Sequence, residues 1–65
     1  MSLKKEYEMR FIELHDYQTS GMILININQI ISIDSLGVDG SRISTVDGLI
    51  RVKETPDQIK IKIHG

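Results

Sequence analysis

The chain contains one neighbouring histidine and acid, His15-Asp16, and two hydroxyl residues, Thr19 and Ser20, follow in the same segment. A general base needs an orienting acid and a nucleophile within hydrogen-bond reach. Neighbouring residues of a strand point to opposite faces, so His15 and Asp16 have poor geometry for such a pair. A polar hairpin loop explains all four residues, and we predict that the protein is not an enzyme.

Metal and cofactor sites are not predicted either. The sequence has no cysteine, and its two histidines, His15 and His64, lie far apart with no ligand spacing. The acids Asp34, Asp39 and Asp47 lack the close, regular spacing of an oxygen-lined cation site. We therefore expect no metal and no cofactor, and the absence of cysteine favours a reducing compartment such as the cytoplasm.

Basic residues in the second half are the remaining candidates for chemistry. The net charge is −1, and residues 42–65 carry five basic and three acidic side chains. That bias is too small to identify a phosphate-binding surface by itself. We favour a solvated face that also protects strand edges. The alternative is a small regulatory module that binds RNA or DNA through Arg42, Arg51, Lys53 and Lys60.

These side chains must be positioned by a very small fold, since 65 residues form one domain near the lower size limit for a single apolar core. Frequent isoleucine, together with the absence of tryptophan and alanine, favours strands. We predict a mainly β (α+β) domain: a small antiparallel sheet or partly open barrel of about five strands with a short C-terminal helix. Residues 1–8 are expected to be flexible or partly vector-derived.

Apolar alternation and turn residues predict five strands. Asn26 and Asn28 can bond to their own backbone and should break a long isoleucine-rich segment, whereas Asp47-Gly48 is typical of a tight hairpin. The first expected strand runs from near Met9 to His15, and the second ends near Ile25. The third runs from Ile30 to about Ser35, the fourth from Arg42 to Val46 and the fifth from Leu49 to Lys53.

The C-terminal segment has features of both a helix and a strand. Thr55 and Gln58 have capping-box spacing, and Pro56 stands at the first helical position. Against this, Ile59, Ile61 and Ile63 alternate with lysines, which is strand period. We favour a helix, because cap signals are position-specific, and we expect Ile59 and Ile63 to share its inner face while Ile61 points outward.

Residues 21–63 resemble the small flagellar-associated FlbD-like family. The resemblance lies in Ile23-Leu24-Ile25-Asn26, in Ile30 and Ile33-Asp34, in Gly48, and in Val52-Lys53-Glu54-Thr55 leading through Gln58-Ile59. It implies a small antiparallel β unit followed by a short helix, without an active site, and it implies association with other proteins.

Surplus apolar side chains point to self-association. We expect one inner face formed by Ile12, Leu14, Ile23, Ile25, Ile31, Ile33, Ile43, Ile50 and Val52, which leaves Leu24, Ile30, Leu49 and Ile61 to be covered. We predict a non-enzymatic homo-oligomer that also contacts an unknown protein partner, with an interface at Met22, Leu24, Leu49 and Ile61. No membrane span is expected, because polar residues interrupt the longest apolar run.

Overall fold

The computed structural model describes residues 10–64, in which five antiparallel strands form two open sheets and are followed by one helix. The strands are β1 (Phe11–His15), β2 (Met22–Asn26), β3 (Ile30–Ser35), β4 (Ser41–Thr45) and β5 (Gly48–Val52), and the helix is α1 (Pro56–His64). The predicted mainly β class with a C-terminal helix is confirmed. Met9 and residues 1–8, for which we made predictions, lie outside the described residues.

Two sheets form because the chain turns between β2 and β3. Asn26 caps a short 3-10 turn, Ile27–Gln29, and its side-chain Oδ1 accepts a hydrogen bond of 2.9 Å from the backbone N–H of Asn28. This is the local asparagine bonding that the sequence predicts. The first sheet is therefore the hairpin β1–β2, and the second has the order β3-β4-β5.

A β-bulge near the start of β3 reverses one prediction. The register with β4 shifts between Ile30 and Ser32, so Ile31 becomes the extra residue. As a result Ile30 packs against the core, whereas Ile31 is 68% exposed. The expectation that Ile31 faces inward and Ile30 outward is wrong, since it assumed an unbroken two-residue period.

The hairpin β4–β5 occurs where predicted, but its turn is displaced by one residue. Thr45 pairs with Gly48, which leaves Val46 and Asp47 at the turn. Thr45 Oγ1 accepts from the N–H of Asp47 and donates to the carbonyl of Gly48. Gly48 has a φ of 137°, which an L side chain rarely adopts, so glycine begins β5 instead of completing the turn.

Backbone hydrogen bonds join the two sheets at one corner. The N–H of Lys53 donates to the carbonyl of His15 at 2.8 Å, and the N–H of Tyr17 donates to that of Arg51 at 3.0 Å. Gly40 lies directly under this corner, where an added Cβ would come within 2.7 Å of the Tyr17 ring. The absence of a side chain at Gly40 therefore lets the corner close.

Helix α1 starts with the predicted capping box. The N–H of Thr55 donates to Gln58 Oε1 and the N–H of Gln58 donates to Thr55 Oγ1, at 2.9 and 3.2 Å. The helix then runs antiparallel to β1, and Arg10 donates to the carbonyl of Ile63 at its C-terminal end. This places a cation where the helix dipole favours one.

The core lies between the two sheets and the helix. Ile59 is fully buried, Ile63 is half-buried and Ile61 is exposed, as the helical interpretation predicts. The buried apolar residues are Ile12, Leu14, Ile25, Ile43, Val52 and Ile59, with Ile23, Ile27, Ile30, Ile33, Ile50 and Ile63 packed around them.

Candidate interaction surface

Half of the outward-facing residues of the hairpin β1–β2 are apolar, whereas its inward-facing residues are all isoleucine or leucine. Pairing of Glu13 with Leu24 and of His15 with Met22 places these residues opposite to the buried Ile12 and Leu14. We call the outward-facing residues of the two strands the hairpin face: Phe11, Glu13, His15, Met22, Leu24 and Asn26. Its three large apolar side chains, Phe11, Met22 and Leu24, are each more than half exposed.

Helix α1 extends this surface beyond β1. The side chain of Lys62 lies in a shallow depression with Phe11 and Glu13, and it also lines a neighbouring depression with Ile61 and Glu54. Ile61 is 69% exposed. Lys62 is the residue that the two depressions share, so it links Ile61 on α1 to Phe11 and Glu13 on the hairpin.

A hydrogen-bonded pair of His15 and Glu54 fixes the end of the hairpin face. Glu54 Oε2 lies 2.7 Å from His15 Nδ1, and Glu54 Oε1 accepts from the backbone N–H of His15 at 2.9 Å. Burial by itself would raise the pKa of the Glu54 carboxyl, but the hydrogen bonds from the His15 ring and backbone outweigh it and hold this pKa below its ordinary value. The carboxylate thus ties β1 to the segment before α1.

Asp16 stabilises the turn that follows β1. Its Oδ2 accepts from the backbone N–H groups of Gln18 and Thr19, both at 2.9 Å, and these bonds lower the pKa of the carboxyl. His15 has Glu54 as its acidic neighbour instead. The hydroxyl of Thr19 accepts from the N–H of Gly21 within the same turn.

Leu49, the fourth predicted interface residue, lies on a different surface. It faces outward from the three-stranded sheet, in register with Ser44, and borders a depression with Tyr17 and Arg51. The next row of that sheet face is charged, since Asp34, Arg42 and Arg51 lie side by side. Leu49 therefore belongs to the three-stranded sheet, which also exposes Ile31 at its bulge, and it is separate from the hairpin face.

The four nucleic-acid candidates are distributed over three places. Arg42 and Arg51 are cross-strand neighbours, and Asp34 lies 3.5 Å from the Arg42 guanidinium. Lys53 lies at the corner of the sheets, with its Nζ 5.9 Å from the centre of the Tyr17 ring. Lys60 is exposed on α1. An acid therefore shares the row that carries the two arginines.

Phe11 on the hairpin face and Glu54, the partner of His15 beside it, were not predicted as interaction residues from the sequence. Phe11 alternates with the inward Ile12, so the same strand period that identified the core would have placed it outward. Glu54 gave no signal, because its partner His15 is 39 residues away and meets it only in the folded chain.

Within residues 10–64, no three His, Asp or Glu side chains are close enough to hold a metal ion together. None of the helices in that part of the chain has the length and apolar content needed to cross a membrane.

Comparison of the chain with models of protein families, with curated proteins and with solved structures finds no match.

Proposed function

We propose that the protein is a non-catalytic interaction module that self-associates through the hairpin face and the adjacent Ile61. The observation that carries this proposal is the exposure of Phe11, Met22 and Leu24 on a two-stranded sheet whose other face forms the core. Contiguous exposed apolar side chains on a small domain are typical of an interaction site.

The size of the domain supports the same proposal. A chain of 65 residues without disulfides buries few apolar side chains, and association is one of the usual ways in which such chains gain stability. The inner face of the hairpin is covered by the domain's own sheet and helix, and association would bury part of the apolar surface that remains exposed.

The charged residues of this surface suit a reversible contact. Glu13 stands directly opposite Leu24 within the hairpin face, and it lines one depression with Lys62, so the acid of this surface has a basic residue beside it. The resemblance to the FlbD-like family adds to the proposal, since it implies association; a flagellar role depends on that resemblance alone. An additional protein partner would compete for the same surface.

A concentration series followed by two-dimensional amide NMR tests the proposal. We expect signals of β1, β2 and residues near Ile61 to shift or broaden as the protein concentration rises, while those around Leu49 stay constant. The Leu49 surface is the internal control, because it also exposes a leucine. Constant signals throughout, or changes confined to the β3-β4-β5 sheet, would contradict the proposal.

Nucleic-acid binding is separated from self-association by a second titration. Mixed-sequence RNA or duplex DNA added at low salt should leave the signals of Arg42, Arg51, Lys53 and Lys60 unchanged. Binding at these residues that weakens steeply with added salt would instead favour the alternative function.

A further inference from the structure

We infer that the second copy pairs antiparallel with the free edge of β2, with Leu24 opposite Leu24 of the other copy. This inference rests on the proposed self-association and concerns the β2 side of the hairpin face; Phe11 on β1 and Ile61 on α1 lie away from this seam. Two hairpins would then form one four-stranded sheet with the order β1-β2-β2-β1. Strand addition at an exposed sheet edge is a recurrent mode of protein recognition.

Backbone hydrogen bonds show which groups of β2 face this edge. Asp16 donates to the carbonyl of Gly21, and Ile27 donates to that of Arg10, at 2.8 and 3.0 Å. Hydrogen-bonded and non-bonded pairs alternate along an antiparallel ladder. In the observed register the pairs formed by Ile23 and Ile25 are therefore bonded to β1.

It follows that the residues between them direct their backbone groups away from β1. These residues are Met22, Leu24 and Asn26. The carbonyl of His15, which stands opposite Met22, confirms the alternation because it accepts from Lys53 on the far side of β1. Leu24 is the middle residue of the strand, so a two-fold axis beside it aligns the outward groups of both copies.

The edge of β2 differs from the two edges of the other sheet. β5 is joined at its end to the β1 corner, and β3 is interrupted by a bulge and carries Asp34. β2 reads Met-Ile-Leu-Ile-Asn, without a charge, a proline or a bulge, and β1 is its one strand neighbour within the described chain. Charges, prolines and bulges are the features by which natural proteins protect a strand edge, and β2 has none of them.

Side chains on both faces fit the symmetric register. On the outer face the two Leu24 side chains meet, and Met22 of each copy lies beside Asn26 of the other. On the inner face Ile23 of one copy lies beside Ile25 of the other, which extends the apolar layer. The two Glu13 carboxylates stand three strand spacings apart, about 14 Å, which exceeds the screening length of about 8 Å at physiological salt.

Leu24→Pro tests the edge directly. Proline removes the outward N–H of Leu24 and leaves the β1–β2 hydrogen bonds in place, which is the position where strands tolerate it. We expect the variant to dissociate at concentrations at least ten times those at which the native chain does, with an unchanged circular-dichroism spectrum. A folded variant that associates like the native chain would overturn the inference while leaving the proposed function intact.

Cysteine cross-linking tests the register without relying on proline, and the absence of native cysteine makes each introduced thiol unique. Two Leu24→Cys residues should have Cα atoms about 5.5 Å apart and form an intermolecular disulfide. Met22→Cys is the control, because its two copies would be about 14 Å apart, four residues along the strand. We expect at least tenfold faster cross-linking at position 24, and equal rates would overturn the register.

Hydrogen exchange at the Leu24 amide separates the remaining outcomes. Slow exchange that appears only as copies associate supports the inference. Slow exchange in a monomer would assign the edge to another segment of the same chain and would overturn it. A chain that stays monomeric at all concentrations would overturn both the inference and the proposed function.

Discussion

The two sheets of this molecule differ in the residues that they expose on their outer faces. The three-stranded sheet carries Ser44 and the charged row of Asp34, Arg42 and Arg51 on its outer face, and it also exposes Leu49 and, at the bulge of β3, Ile31. The hairpin β1–β2 instead exposes Phe11, Met22 and Leu24 over most of its outer face. Since both sheets bury isoleucine on their inner faces, the difference lies in their outer faces, and in the proposed function protein covers the outer face of the hairpin.

Substitutions in the core that the two sheets share should lower the free energy of unfolding most. Leu14 and Ile43 are both fully buried, one in each sheet. Replacement of either by alanine should lower the free energy of unfolding by about 2–5 kcal/mol, because the cavity cannot collapse completely. Urea unfolding at one fixed protein concentration measures this. A cost below about 1 kcal/mol in one sheet only would show that the two inner faces are not equivalent.

The next effect separates the outer faces. Leu24 and Leu49 are exposed to similar extents, 55% and 63%, but Leu24 lies on the hairpin face. Leu24→Lys should raise the dissociation constant of the assembly at least tenfold, about 1.4 kcal/mol, because it places a charge in the contact. Leu49→Lys is the matched control and should leave the dissociation constant unchanged. Sedimentation velocity measures both, and equal effects would erase the distinction between the sheets.

A smaller effect tests the junction between the hairpin and the helix. Glu54→Gln should lower the free energy of unfolding by about 1 kcal/mol at pH 7, because the backbone and ring of His15 would then lose the charged carboxylate as their hydrogen-bond partner. The lowered pKa of Glu54 means that its stabilising contribution is present above the ordinary value of 4.5 and is lost as the pH falls through the lowered pKa. The stability gap between the two proteins should therefore close in acid.

Thermal unfolding across this pH range measures that gap. Glu13→Gln serves as the control at pH 7, since the Glu13 side chain is exposed on β1, the strand that also carries His15. It should change the free energy of unfolding by less than about 0.5 kcal/mol. A gap for Glu54→Gln that stayed open after the pH had fallen below the lowered pKa of Glu54 would contradict the role assigned to its carboxylate.

The smallest effect concerns the charged row of the other sheet. Asp34 and Arg42 are about half exposed and 3.5 Å apart, so Asp34→Asn should lower the unfolding free energy by no more than about 0.5 kcal/mol. Urea unfolding checks this value. A loss above about 1 kcal/mol would mean that the row supports the fold as well as keeping that face in water.

Local signals in the sequence predicted most of the elements. The capping box at Thr55 and the asparagine turn at Asn26 involve residues two or three positions apart, so spacing alone identifies them. The misplaced Ile30 and Ile31 show the limit of this approach. A bulge depends on how β3 registers with β4, and no local pattern of β3 encodes that register.

The candidate surface was predictable in part for the same reason. Strand period places Leu24 outward, and helical period places Ile61 outward, but neither period tells which outward residues share a surface. That Lys62 links Ile61 to Phe11 and Glu13, whereas Leu49 borders Tyr17 and Arg51, follows from the packing of α1 beside β1. The contact of His15 with Glu54 likewise exists only after this packing.

Self-association through the hairpin face is tested most directly by light scattering over a dilution series. We expect a dimer or larger assembly that dissociates reversibly on dilution, and a Leu24→Lys chain that remains a folded monomer over the same range. A native chain with monomer mass at every concentration, including the highest, would contradict it.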